Sequence, residues 1–248
     1  MKIFVGFAWI ALAFGGLALH ADMSFEAASV KATPADAGPR DPMHVDGGRV
    51  TLNSVSLKSL IQMAYSLPEW KLDGATGWID SNRYDIAAKF PEGADQKQLP
   101  EMLRTLLRER FALQTETKSK SMKAYALTPV KSGAKLKVSS HETTWDGHGG
   151  VNGGMRPGHL VFRDMTIGGL AEVLSTRIGK PVIDQTNITG KYAIDLKWSA
   201  KEMDADSTST DGPSIFTALE QQLGLTLRST TAPVEVLAIR HASPPSGN

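Results

Sequence analysis

Apolar and polar residues follow two periods along this chain, and the periods recur in the same order twice. Gly48 to Leu60 reads as a short strand running into a helix, and Gly158 to Leu170 reads the same way. In the first helix Leu57, Leu60, Ile61 and Ala64 fall at i, i+3, i+4 and i+7. Ile167, Leu170, Ala171 and Leu174 repeat that spacing, which puts each set on one helix face. Ser56 and Thr166 stand at equivalent N-cap positions, where a hydroxyl accepts from an otherwise unpaired helix N–H.

Strict alternation follows each helix. Tyr84, Ile86, Ala88 and Phe90 share one face of a strand, as do Tyr192, Ile194, Leu196 and Trp198. A second apolar stripe then appears in each half: Leu99, Met102, Leu103, Leu106 and Leu107, and later Ile215, Ala218, Leu219, Gln222 and Leu223. Asp211 with Pro213 marks the start of the latter helix. Each helix leads into a short strand (Phe111 to Leu113; Leu225 to Leu227) and a closing strand (Lys123 to Val130; Val234 to Arg240). The expected fold class is therefore α+β: two related small units, each β-α-β-α-β-β, with two helices packed on short mixed sheets.

Breaks in the pattern set the expected boundaries. Residues 22–138 form the first unit, with an N-terminal edge strand over Phe25 to Val30 and loop up to residue 47. Residues 139–157, with Gly147, Gly149, Gly150, Gly153, Gly154 and Pro157, read as a Gly-rich linker. Residues 158–242 form the second unit, interrupted by an Asp/Ser/Thr-rich loop from Lys201 to Gly212. Residues 243–248, with Pro244-Pro245, read as a flexible tail.

The N-terminus changes the picture from fold to location. Lys2 precedes an almost wholly apolar run from Ile3 to Leu19, and Leu19-His20-Ala21 leads into polar sequence at Asp22. This is the layout of a secretory signal peptide over residues 1–21, with cleavage after Ala21. Left uncleaved, the run would tether the protein to a membrane. The expected location is periplasmic or secreted, with no stable membrane span once the signal is removed.

Charge and cysteine content narrow the chemistry. Lys and Arg number 27 and Asp and Glu 26, so there is no basic excess to neutralise phosphates, and nucleic acid is not an expected partner. The cysteine count is 0, which removes disulfides, thiol catalysis and thiolate metal sites.

Several residues invite a chemical reading. His141, Glu142, Asp146, His148 and His159 are possible metal ligands, but His141-Glu142 lacks the second His four residues on. Glycine on both sides of His148 makes a loop that fixes ligands poorly. Ser132-Gly-Ala-Lys135 fits Ser-x-x-Lys, yet Gly133 makes it a turn rather than a helix start. Gly147 to Gly154 lacks the Gly-Lys-Ser/Thr ending of a phosphate loop. Trp70 and Trp78 flank a Gly-containing turn and are expected to plug the helix–strand junction; Trp145 is the better contact residue. Arg104, Arg108 and Arg110 with Glu101 and Glu109 read as a solvated helix face. Asn187-Ile-Thr189 is formally a glycosylation sequon. No catalytic, cofactor-binding or metal residue is assigned.

Phe25 to Lys31, Arg83 to Lys89, Leu106 to Leu113, Tyr125-Ala-Leu with Gly133 to Leu136, Pro181 to Thr186 with Gly190-Lys-Tyr192, and Ala218 to Leu225 together resemble a soil-associated bacterial family of exported proteins with no assigned function. The resemblance spans nearly the whole mature chain. It implies export and an association with membrane-bound sensor and metallopeptidase proteins, and it implies no reaction. This chain departs from that family's pattern. Gln114-Thr-Glu-Thr117 holds no His, Thr186-Asn-Ile-Thr-Gly190 replaces the usual Thr-Gly-Leu-x-Gly turn, and Arg240 stands where an acidic residue is common. Met165 to His241 also resembles the small periplasmic domain at the N-terminus of secretins and TonB-dependent receptors, a protein-interaction module.

The expected function is an exported, non-catalytic binding or interaction module, with another envelope protein as its partner and no cofactor. Two other readings are a hydrolase of cell-envelope or carbohydrate material, and a ligand-sensing accessory of a membrane receptor.

Overall fold

In a computed structural model the described residues are 23–139, 153–199 and 212–245. The chain starts with β1 (Ala27–Ala32), β2 (Met43–Asp46) and β3 (Arg49–Val55), then α1 (Leu57–Tyr65). A 3-10 turn at Glu69–Lys71 runs into the short strand β4 (Leu72–Asp73), followed by α2 (Trp78–Ser81) and β5 (Tyr84–Lys89). After α3 (Leu99–Phe111) comes the 16-residue strand β6 (Gln114–Pro129). The second half holds β7 (Lys137–Val138), β8 (Gly153–Arg156), β9 (His159–Met165), α4 (Ile167–Ile178), β10 (Val182–Asp184) and β11 (Tyr192–Lys197). It ends with α5 (Ile215–Ala218), a π-helical turn over Leu219–Leu223 and the 17-residue strand β12 (Leu225–His241). The fold class is α+β, as the periodicity predicts.

The local chemistry follows the expected signals. Ser56 accepts from Ser59 N and Thr166 accepts from Gly169 N, so both hydroxyls cap their helices. The predicted stripes of α1 and α4 are buried. At the last helix Ser214 caps α5, accepting from Thr217 N at 3.0 Å; of the expected start signal, Asp211 lies outside the described residues.

Three sheets result, in the orders β1-β5-β3-β2, β7-β11-β9-β8 and β10-β6-β12-β4. The first two each lie in one half. The third is shared. β6 and β12 pair antiparallel along nearly their whole length, with β10 added in parallel to β6 and β4 in parallel to β12. The expected closing strands Lys123 to Val130 and Val234 to Arg240 belong to single long strands, and Leu225 to Leu227 joins the latter; Phe111, expected to open a strand, instead ends α3, where Ala112 takes a left-handed C-cap before β6 begins at Gln114.

Sheet membership also crosses the expected boundaries. Lys137 and Val138 pair with β11, so the end of the 22–138 segment joins the second half's sheet. The Gly-rich stretch 139–157 is not all linker: β8 pairs with β9 from Gly153↔Phe162 to Arg156↔His159, because β9 otherwise has an open side. Met43–Asp46, expected as loop, pairs with β3 for the same reason. The tail is tied at its start, where Ser243 N–H donates to Phe111 O at 2.8 Å.

Each core borrows from the other half. Leu237, Ile239 and Ala242 pack on the first core, between the sheet of β3 and β5 and helices α1 and α3. Leu127 is fully buried in the second core, with Tyr125 beside it. At one end of the shared sheet Gly224 is at φ +63°, and a Cβ there would lie 2.5 Å from Gly133 O. Only glycine lets the 131–136 turn seat on the end of the π-helical turn. Val130 N–H donates to Gly224 O and Lys135 N–H to Leu223 O, fastening the contact.

Candidate interaction surface

His159, the one candidate ligand among the described residues, opens β9; its Nε2 lies 2.8 Å from Asp195 Oδ1 on β11. This is an exposed cross-strand pair of small energetic weight. His141, Glu142, Asp146, His148 and Trp145 lie outside the described residues. No group of three possible metal ligands occurs among the described residues. Ser132 sits in a turn, and Lys135 Nζ donates to Gln221 O at 3.2 Å, so the lysine serves the helix end. Asn187 is a turn residue at φ +57°.

Trp78 begins α2 and packs against the first core, as a plug should. Trp70 does something else. It lines a groove of about 550 Å³ between the halves, with Ser66, Pro68, Ser175, Pro181 and Glu235. Its Nε1 is buried without an acceptor. The charged face of α3 also differs from expectation. Arg104 is not simply solvated: its Nε donates to Ala64 O at 2.7 Å and its guanidinium lies 5.2 Å from the Tyr65 ring centroid, tying α3 to α1.

Asp85 is a hub that sequence reasoning missed. β3 is bulged between Leu52 and Val55, and Ser54 takes φ +54° there. The Ser54 N–H that this bulge releases donates to Asp85 Oδ1 at 2.9 Å, and Thr33 and Arg40 also bind the carboxylate. Burial pushes the Asp85 carboxyl up; the Ser54 N–H, the Thr33 hydroxyl and the Arg40 guanidinium more than reverse this, leaving it below its ordinary value.

A further feature of the surface is backbone. Val130 N–H bonds Gly224 O, directly opposite, so even-numbered residues of β6 face β12. Odd-numbered residues then face outward. Two further bonds agree: Tyr125 N–H donates to Pro181 O, and Gln185 N–H donates to Leu127 O, both on the β10 side. β10 covers β6 only from Tyr125 to Leu127. Among the described residues no strand covers the outward groups of Thr117, Ser119, Ser121 and Lys123. Residues 116–121 are all exposed.

Among the described residues the equivalent stretch of β12 is open too, since β4 reaches only Leu237 and Ala238. There Pro233, at an odd position in register with Ser121, removes an outward donor and interrupts the edge. β6 has no proline between Gln114 and Thr128. Lysines are the usual alternative guard on an edge. Here Lys118 and Lys120 both bind Asp73 on β4, which draws their ammonium groups across β12 and away from the open side. Those two hydrogen bonds hold the Asp73 carboxyl below its ordinary value.

Comparison with known proteins adds a family and no activity. No curated protein and no solved structure matches the chain. A family model described as "Protein of unknown function (DUF3738)" matches residues 58–242, from α1 to the end of the shared sheet. The chain belongs to that family of uncharacterised function.

Proposed function

We propose that this protein is an exported interaction module that receives an extended segment of another envelope protein on the outer edge of β6. The observation that carries this reading is the row of outward backbone donors and acceptors from Thr117 to Lys123, which no strand among the described residues pairs and which proline does not interrupt. An added strand gains main-chain hydrogen bonds there without any specialised side-chain chemistry. The likeness of Met165 to His241 to the periplasmic interaction domain of secretins and TonB-dependent receptors supports it. The apolar run after Lys2 supports export, and the membership of a soil-associated exported family is part of the same proposal. Among the described residues no helix is long and apolar enough to cross a membrane.

A photo-crosslinking residue at Ser121 of the full chain tests the edge in envelope extract. A discrete product that Ser119→Pro abolishes is expected; a product indifferent to that change would remove the edge from consideration. The mass of the mature N-terminus tests export, and an intact Met1 on the exported protein would turn the module into a tethered one.

The Trp70 groove favours a second reading, a sensor of a small ligand bearing a hydrogen-bond acceptor. A thermal-shift screen of such ligands is expected to find one whose stabilisation Trp70→Phe removes. No stabilising ligand, or one equally effective on the variant, would count against it.

A further inference from the structure

The open edge of β6 has two chemically different faces. Odd positions carry the hydroxyls of Thr115, Thr117, Ser119 and Ser121 on one face. Even positions carry Glu116, Lys118, Lys120 and Met122 on the other. From Gln114 to Ala124 three lysines stand against one glutamate, so 3 − 1 gives a net +2. The neighbouring strands compensate this only in part. Asp73 is one carboxylate shared by two ammonium groups, and Glu116 is already engaged by Arg240 at 2.9 Å. Lys123 is exposed and has no ion-pair partner among the described residues.

Self-association through this edge is disfavoured by the same charges. Antiparallel pairing of two copies about Ser119 sets Lys118 of each against Lys120 of the other, and like charges directly opposite are destabilising. A strand of the opposite sign gains instead. The occupant's length is bounded as well. Tyr125 N–H is already donated to Pro181 O, so an added strand must end opposite Lys123.

We propose that the β6 edge takes a short extended strand whose alternate residues are acidic. Its carboxylates lie on the face that carries Lys118 and Lys120, whose two ammonium groups share the single Asp73 carboxylate, so one can swing back to the edge, and its intervening small or hydroxyl-bearing residues lie along the Thr/Ser row. This rests on reading the edge as the docking site, and adds the chemistry of the partner. Cross-strand opposite-charge pairs and Thr–Ser contacts are the two favourable pairings such a strand makes.

The test uses the full chain and two synthetic probes: a fluorescent peptide alternating Thr and Glu, and its counterpart alternating Thr and Lys. The Thr-Glu peptide is expected to bind saturably by fluorescence anisotropy, at least about tenfold tighter than the Thr-Lys peptide. Ser119→Pro removes an outward N–H that β12 does not use, and should weaken binding by about tenfold or more. Lys120→Gln leaves Lys118 on Asp73 and should weaken it roughly threefold, as loss of one exposed pairing does. Circular dichroism confirms that each variant folds. If Ser119→Pro does not fold, Thr117→Pro, also outward-facing, carries the same comparison.

Equal affinity for the two peptides, or no saturable binding of either, overturns the acidic specificity. If that happens while Ser119→Pro still abolishes the Ser121 crosslink, the docking edge stands and only the partner chemistry falls. If the Thr-Glu peptide binds but neither proline variant weakens it, the peptide sits elsewhere and this inference is wrong.

Discussion

The first half of the molecule finishes its sheet with a full-length strand, whereas among the described residues the second finishes its sheet with a two-residue strand and a glutamine side chain. β1 runs beside β5 from Ala27↔Lys89 to Ala32↔Tyr84, covering the whole strand. Its counterpart β7 covers only Tyr192 and Ala193 of β11. At the far end of β11 the Gln222 amide takes over: Lys197 N–H donates to Oε1 at 3.0 Å, and Nε2 donates to Lys197 O at 2.7 Å. A glutamine side chain carries the same donor and acceptor as a peptide group, so one residue does there what a paired strand would do. The difference teaches that a common order of elements does not require a common means of closing the sheet. The second half depends more on individual side chains, and on Leu127 lent by the first.

The largest effect is expected from withdrawing that loan. Leu127→Ala should destabilise the protein by about 2–5 kcal/mol, the range for a fully buried Leu. Urea denaturation measures it. Hydrogen exchange sharpens it, because α4 should lose protection although Leu127 belongs to the first half by sequence. Faster exchange confined to α1 and α3 would break the comparison.

Proline scanning of β6 should come next. Lys120→Pro removes an N–H that faces β12 and leaves a carbonyl of that strand without its donor, costing roughly 1–3 kcal/mol. Ser119→Pro should be close to neutral, because its N–H faces outward. Equal losses at the two positions would show that the alternation of inward and outward groups is misassigned.

Gln222→Ala tests the side-chain closure directly. It should cost about 1 kcal/mol, since water replaces part of what the amide provides at an exposed edge. No change in urea midpoint would mean that the amide adds nothing beyond solvent.

The smallest effect is a pH dependence that belongs to the first half. The Asp85 carboxyl is lowered from its ordinary value of 3.8, and Ala193 occupies the matching place on β11. The folded chain favours the carboxylate. Its contribution is therefore present above the unfolded value and lost as pH falls through the lower folded one. Asp73 adds to the same acid limb. Asp85→Asn should flatten the fall in urea midpoint below about pH 4, and an unchanged slope would remove Asp85 as its source.

Elements with one apolar face were legible. The stripes of α1 and α4, the caps at Ser56 and Thr166, and the alternation Tyr84 to Phe90 all show burial as a period, and period survives in sequence. What was not legible depends on pairing. Thr115 to Lys123 is polar on both faces, so it carries no inward signal, and its neighbours on β12 lie more than a hundred residues away in the chain. The same holds for Gln222, which reads as one more member of a helical stripe until Lys197 is brought beside it. Asp85 looked like an ordinary polar position in an alternating strand; only the bulge at Ser54 makes it a hub. The one available signal for the open edge was the unbroken run of two-sided polarity itself, which marks a strand with no core to lie on.

The crossing of β6 and β12 has a consequence for how the protein is made. Leu237 and Ile239, which pack on the first core, are synthesised more than a hundred residues after α3. The first half therefore emerges whole in sequence yet open in structure, and it stays so until β12 has emerged. Its helices can form early, but their packing waits for a strand made more than a hundred residues later. Contacts at such separation slow folding. A chain released short of Leu237 would leave the first core without Leu237, Ile239 and Ala242 against it, an unfinished body that proteases and chaperones would meet before any partner did.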